Sequence, residues 1–217
     1  MNFTKNTSNS NNNQNKEYLC EGRYEVQKKL GEGTYGTVYK CFDTQKNQLV
    51  AVKKLKFHFE NEGVPATSIR EIGILRGLKH ENLVSLKDVS KDYSEKNCIY
   101  LSFEMMDMDL NGFIKLRNKQ VPVFEIKRIM FEIIKGVNHL HENRIFHRDL
   151  KPDNVLIKKD ISQVKLADFG LSRTIHQPFR PMSREIMTLW YRSPEACMSY
   201  KDYSIGVDCW AVGCIFA

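Results

Sequence analysis

Apolar and polar residues alternate along much of the first half of the chain, and apolar residues recur at three- and four-residue steps along much of the second. Alternation predicts strands, and the longer step predicts helix faces. Residues 24–30 and 37–42 alternate on either side of a glycine-rich turn, which predicts a hairpin. Residues 48–55, 83–89 and 98–103 predict three further strands. Residues 65–78 predict a helix, with Pro65 near its start and Gly77 near its end. Ile126, Ile129, Met130, Ile133, Val137 and Leu140 lie on one face of a second helix. Two short strands are expected at Val155–Ile157 and Val164–Leu166. The almost wholly apolar residues 207–217 predict a buried helix. Residues 1–16, MNFTKNTSNSNNNQNK, have almost nothing to bury and cannot offset the entropy of ordering. Residues 1–22 are therefore expected to form a disordered Asn-rich tail ahead of one domain over 23–217.

Composition narrows the class. In 217 residues, 41% are hydrophobic and 27% charged, an ordinary globular balance. No apolar run approaches the roughly 18 residues of a membrane span, so no membrane partner is expected. The polar N-terminus does not resemble a secretory signal, and the N-x-[ST] matches at Asn2 and Asn6 carry little weight without one. The six cysteines form no C-x-x-C pair, which disfavours a metal or redox site. A nuclear or cytoplasmic protein, not a secreted one, is the expectation. The net charge of +7 is spread along the chain rather than gathered into a basic tract, so no nucleic-acid partner is expected.

Four local patterns carry candidate chemistry. Gly31-Glu32-Gly33-Thr34-Tyr35-Gly36-Thr37-Val38 reads G-x-G-x-x-G-x-V. Glycines let backbone N–H groups approach phosphates, but three glycines alone are a weak signal. Here they join two strands, whereas a dinucleotide fingerprint opens a helix. Lys53, on the next strand, can be a phosphate contact or a solvated strand lysine; Glu71, on the following helix, can orient it or lie exposed. His147-Arg148-Asp149 with Lys151 and Asn154 close behind is far more specific. Asp149 can accept a hydroxyl proton, Lys151 can stabilise a transferring phosphate, and Asn154 can hold a metal. Asp168-Phe169-Gly170 after a short strand adds a natural Mg²⁺ ligand in Asp168.

In this order the four patterns resemble the protein-kinase signature set, from about residue 24 to the last residue. Within kinases the chain is most similar to the cyclin-dependent family. Pro65-Ala66-Thr67-Ser68-Ile69-Arg70-Glu71 resembles its PSTAIRE helix, departing at Ala66 and Ser68, and Thr188-Leu189-Trp190-Tyr191-Arg192-Ser193-Pro194-Glu195 resembles its TLWYRAPE segment. The loop after Asp168 has no T-x-Y, unlike a MAP kinase. The resemblance implies an α+β, two-lobed protein-kinase-like fold: a small antiparallel sheet lobe over about 23–106 and a mainly helical lobe over about 107–217.

It also implies an ATP- and Mg²⁺-dependent, proline-directed Ser/Thr kinase of cell-cycle or transcription control. Asp149, Lys151, Lys53 and Glu71 would be catalytic, and Asn154 and Asp168 would bind Mg²⁺. ATP would lie under the glycine loop (31–38). Leu30 and Val38 would sandwich the adenine beside Ala51, with Phe103 as gatekeeper, Glu104 and Met106 at the hinge, and Asp109 completing the set. A cyclin would dock on 65–78 and seat Glu71 beside Lys53. An activating kinase would phosphorylate Ser183, whose phosphate Arg70, Arg148 and Arg173 would collect. Thr34 and Tyr35 would be inhibitory phosphosites, and substrates would carry Ser/Thr-Pro.

Family catalytic domains continue past 207–217, and the arginine that pairs with the Glu195 equivalent is not in this chain. The helical lobe is accordingly expected to be incomplete. The alternative reading is a truncated, catalytically weak module that binds cyclin; a third is an ATP-binding protein without phosphotransfer.

Overall fold

The computed structural model describes residues 16–33, 36–56, 66–93, 95, 98–169, 172–174, 189–198 and 204–217; the side chains of 66–68, 70, 71, 173 and 174 lie outside that description. The first lobe is a six-stranded sheet built from β1 (Tyr18–Leu19), β2 (Tyr24–Gly33), β3 (Gly36–Asp43), β4 (Gln48–Lys56), β5 (Leu86–Lys91) and β6 (Cys98–Glu104). Every pairing is antiparallel, in the order β1-β2-β3-β4-β6-β5. Helix α1 (Ala66–Gly77) falls between β4 and β5. Register shifts in the β2–β3 ladder, between Val26 and Lys28 and between Lys29 and Gly31, bend the hairpin just before its glycine-rich tip. Tyr24, Cys41, Val50, Val52 and Tyr100 bury the outer part of this sheet.

The remainder is helix joined by very short strands: β7 (Met108–Asp109), α2 (Leu110–Leu116), α3 (Val123–Glu142), β8 (Ile145–Phe146), β9 (Val155–Ile157), β10 (Val164–Leu166), β11 (Arg173–Thr174), α4 (Pro194–Cys197) and α5 (Gly206–Phe216). Helix α3 buries Ile129, Ile133, Val137 and Leu140, four of the six predicted stripe positions. At Gly136 an added Cβ would meet Asn82 and Leu166 at 3.1 Å, so the helix backbone lies directly on β10 and the segment before β5. Asn82 is itself buried and donates from Nδ2 to the Val164 carbonyl at 2.9 Å. One apolar cluster runs from Leu55, Ile74 and Leu101 in the sheet lobe to Ile133, Leu150 and Leu166 in the helical one. The α+β, two-lobed expectation holds.

Three expectations need correction. The tail expected over 1–22 is too long: Tyr18–Leu19 pair with Glu25 and Tyr24, and Leu19 and Cys20 are buried, so this short apolar segment next to the Asn-rich stretch joins the sheet. The strand expected at 83–89 begins only at Leu86. Leu83 and Val84 turn instead to β10, where Val84 N–H donates to the Leu166 carbonyl at 2.9 Å. The apolar helix at 207–217 forms, but along one edge only is it buried, at Val207, Asp208 and Ala211, while Trp210 and Phe216 are exposed.

Candidate active site

The loop from His147 to Lys151 leaves β8 and enters a short 3₁₀ turn at Pro152–Asn154. Its path is fixed through the backbone. Asp208, on α5 and fully buried, accepts the N–H of His147 on Oδ2 and that of Arg148 on Oδ1, both at 2.8 Å. His141 Nε2 reaches the same Oδ2 at 2.9 Å. Arg148 adopts φ +70°, a left-handed conformation uncommon for a side chain of its kind. Two hydrogen bonds from consecutive amides to one carboxylate hold the chain in that turn.

His147 is buried and serves as a strut. Its Nε2 donates to the Ala167 carbonyl at 2.9 Å, its Nδ1 accepts the Asp149 N–H at 3.3 Å, and its ring packs on Phe169 with centroids 5.2 Å apart. One imidazole thus links the Asp149 loop to the Asp168 segment. Ala167 N–H donates to the Asn154 carbonyl at 2.9 Å, a second tie between the same segments.

Asp149, Lys151 and Asn154 converge. Asp149 Oδ2 lies 3.1 Å from Lys151 Nζ and accepts from Asn154 Nδ2 at 3.0 Å; the same Nδ2 donates to the Asp149 carbonyl at 2.7 Å. Burial pushes the Asp149 carboxyl above its ordinary value, and the Lys151 ammonium offsets only part of that rise. Across the cleft, Asp168 Oδ1 pairs with Lys53 Nζ at 3.1 Å. Burial pushes the Asp168 carboxyl up, but Lys53 outweighs it and holds the net value below the ordinary one. Asp168 has φ +65°, so the backbone turns sharply just where its carboxylate enters the cleft.

The donor set fits Mg²⁺, which takes oxygen ligands, often one or two carboxylates completed by phosphates and water. Because Asn154 spends its amide nitrogen on Asp149, its Oδ1 is the atom left for a cation. Asp168 likewise keeps Oδ2 outside the Lys53 bond. Among the described residues no group of three or more His, Cys, Asp or Glu side chains could hold a metal ion.

The positions expected to face a nucleotide are set beside one another by strand pairing. Val38 is opposite both Gly31 and Lys53, Glu32 opposite Thr37, and Ala51 opposite Phe103. Leu30 is half exposed, whereas Phe103 and Met106 are buried. Glu104 spends its side chain on the lobe junction, accepting Ser85 N–H at 2.7 Å and pairing with Lys165 at 3.0 Å. Asp109 caps α2, its Oδ1 accepting Gly112 N–H at 2.6 Å, which leaves Oδ2 for any ligand. At Gly36 the φ of +145° and a Cβ position 2.1 Å from the Lys54 carbonyl oxygen admit no other residue without moving β3 from β4.

Thr34, Tyr35 and Ser183 lie outside the described residues, as do the side chains of Arg70, Glu71 and Arg173. Residue 71 sits on α1, and Arg173 is on β11 opposite Phe146, the residue before His147. The roles of His147 as a strut and of His141 as a third partner of Asp208 were not anticipated; they depend on groups far apart in sequence, and no local pattern announces them.

A family model described as "Protein kinase domain" matches residues 24–217.

Proposed function

The chain belongs to the protein kinase domain family, and on that premise we propose that it is a cyclin-dependent, proline-directed Ser/Thr kinase that moves the γ-phosphate of ATP to protein hydroxyls. Membership of the family itself supports a protein kinase activity and implies ATP, usually with Mg²⁺. The observation that carries the catalytic reading is Asp149: a buried carboxylate held by Lys151 at 3.1 Å and Asn154 at 3.0 Å, with a raised proton affinity.

In this reading Asp149 orients the substrate hydroxyl and takes its proton as the oxygen bonds to the γ-phosphorus and the bond to the β-phosphate bridge oxygen breaks, leaving ADP. Lys151 faces the same space and offsets charge on the moving phosphoryl group. Lys53 grips the α- and β-phosphates, and Glu71 steadies it. Mg²⁺ held by Asn154 and Asp168 would neutralise phosphate charge when bound. The glycine strands and Gly36 let the backbone lie close over the phosphates, and Leu30, Val38 and Ala51 enclose the base.

The finer assignment rests on the resemblance of 65–71 to PSTAIRE and of 188–195 to TLWYRAPE. It brings a cyclin on α1, Ser/Thr-Pro substrates, an activating phosphate on Ser183 collected by Arg70, Arg148 and Arg173, inhibitory phosphates on Thr34 and Tyr35, and a nuclear or cytoplasmic location. The test is phosphotransfer by the purified chain to a Ser-Pro peptide and its Ser-Ala twin, with and without an added cyclin. Turnover that needs both cyclin and proline is expected, and Asp149→Asn lowers it by about 10²–10⁴-fold. Stabilisation by Mg-ATP with no turnover under any cyclin would overturn the proposal in favour of a cyclin-binding module.

A further inference from the structure

On the outer side of the hinge lies a concavity of about 670 Å³ to which neither Lys53, Asp149 nor Asp168 contributes. Five lysines line it: Lys28 from β2, Lys40 from β3, Lys87 from β5, and Lys158 and Lys159 from the turn just after β9. Only two carboxylates accompany them: Glu104 is engaged outside the concavity, and Asp107 is engaged within it by Lys158 and the Lys159 backbone. Glu104 pairs with Lys165 at 3.0 Å; Asp107 lies 3.5 Å from Lys158 and accepts the Lys159 N–H at 3.0 Å. Among the described residues the ammonium groups of Lys28, Lys40, Lys87 and Lys159 have no carboxylate within ion-pair distance.

The strand register sharpens the picture. Lys28 and Lys40 are direct cross-strand partners in the β2–β3 ladder, and both face this concavity. Like charges directly opposite one another on a sheet are destabilising. A dianion between them would turn repulsion into two attractions. A phosphoryl group carries nearly two charges at pH 7 and three acceptor oxygens, and so suits several convergent ammonium groups. The volume is in the range of ligand-sized clefts. Leu49 and Met105 add apolar walls that would take neighbouring side chains of a peptide, while Leu30 and Glu104 form the rim shared with the proposed adenine site.

We propose that this concavity is a docking site for a phosphorylated peptide segment of a partner protein, the phosphate lying between Lys28 and Lys40 and within reach of Lys87. A flat anionic membrane fits less well, because the lysines converge into a hollow that also holds Glu104 and Asp107. Docking here needs no phosphotransfer, so it stands or falls independently of the catalytic reading.

The test uses the full chain and a fluorescein-labelled peptide of Gly and Ala around one phosphoserine, followed by fluorescence anisotropy. The phosphopeptide binds with a Kd tighter than about 1 mM and at least about tenfold more tightly than its unphosphorylated twin. Saturating Mg-ADP leaves that affinity unchanged, which separates this site from the cleft. Lys28→Gln with Lys40→Gln weakens binding about tenfold, Lys28→Arg with Lys40→Arg retains it, and neither pair alters the thermal shift given by Mg-ADP. Equal binding by the Gln pair, equal binding of the twin, displacement by Mg-ADP, or binding of phosphatidylserine vesicles but not of phosphopeptide would each overturn the proposal.

Discussion

Asp149 is where burial and chemistry meet most directly. Its raised proton affinity means the folded chain binds a proton there more tightly than the unfolded chain does. The sign follows: holding the carboxylate ionised costs stability as pH rises through the folded value, and catalysis by the ionised form fails as pH falls through it. The acid limb of the kcat/KM profile is therefore expected above the range of an ordinary aspartate. Asp149→Asn should lower kcat by about 10²–10⁴-fold while leaving the melting temperature at pH 7 unchanged or higher. A clear loss of thermal stability would contradict the burial argument. Asp168 has the opposite sign, with stability that Lys53 confers above the unfolded value and that is lost as pH falls through the lowered folded one. The first cluster was legible in the sequence because Asp149, Lys151 and Asn154 lie within six consecutive residues, where spacing alone brings them together. The Lys53–Asp168 pair spans 115 positions; the resemblance placed both residues in one expected site but paired Lys53 with Glu71, and no local pattern announces its bond to Asp168.

At the scale of elements, legibility followed length. The strands β2, β3, β4 and β6 and the helix α3 are long enough to show a period, and the sequence placed them within a few residues. The two-residue strands β1, β7, β8 and β11 have no period to read and exist only because a partner strand captures them. The β3–β4 contact offers a sharp test. Gly36→Ala puts a methyl group 2.1 Å from the Lys54 carbonyl oxygen, so the ladder beside Lys53 must open. A stability loss of about 1–3 kcal/mol from overpacking is expected, read as a shift in urea midpoint, with weakened ADP binding. Helix α5 offers another. Asp208→Ala removes the acceptor of two buried amides, and each orphaned donor costs about 1–3 kcal/mol. Activity and stability should fall together in that variant, unlike in Asp149→Asn, and differential scanning calorimetry beside a turnover assay separates the two.

Across the whole molecule, the cleft is closed by contacts that join the lobes. Lys53 on the sheet lobe meets Asp168 on the helical one, and Lys165 meets Glu104 at 3.0 Å. Lys53 is thus placed to answer both a carboxylate and a nucleotide. In the unsubstituted chain, Mg-ADP at a hundred times its Kd should stabilise the fold by about 2.7 kcal/mol. Lys53→Met should lose most of that stabilisation at the same ADP concentration, as measured by urea midpoints with and without nucleotide. An undiminished shift would mean the nucleotide is gripped elsewhere.

The bond from Asp208 to the loop has a consequence in time. His147 and its acceptor are 61 residues apart in the chain. At a synthesis rate of about 5–20 residues per second, roughly 3–12 s separate the emergence of the loop from that of its anchor. For that interval the sheet lobe can be complete while the amides of His147 and Arg148 still have no carboxylate to meet. The chain therefore builds the sheet wall of its cleft before it sets the loop that carries Asp149. Protease sensitivity at 147–151 should persist in chains that stop before residue 208 and drop in chains that include it.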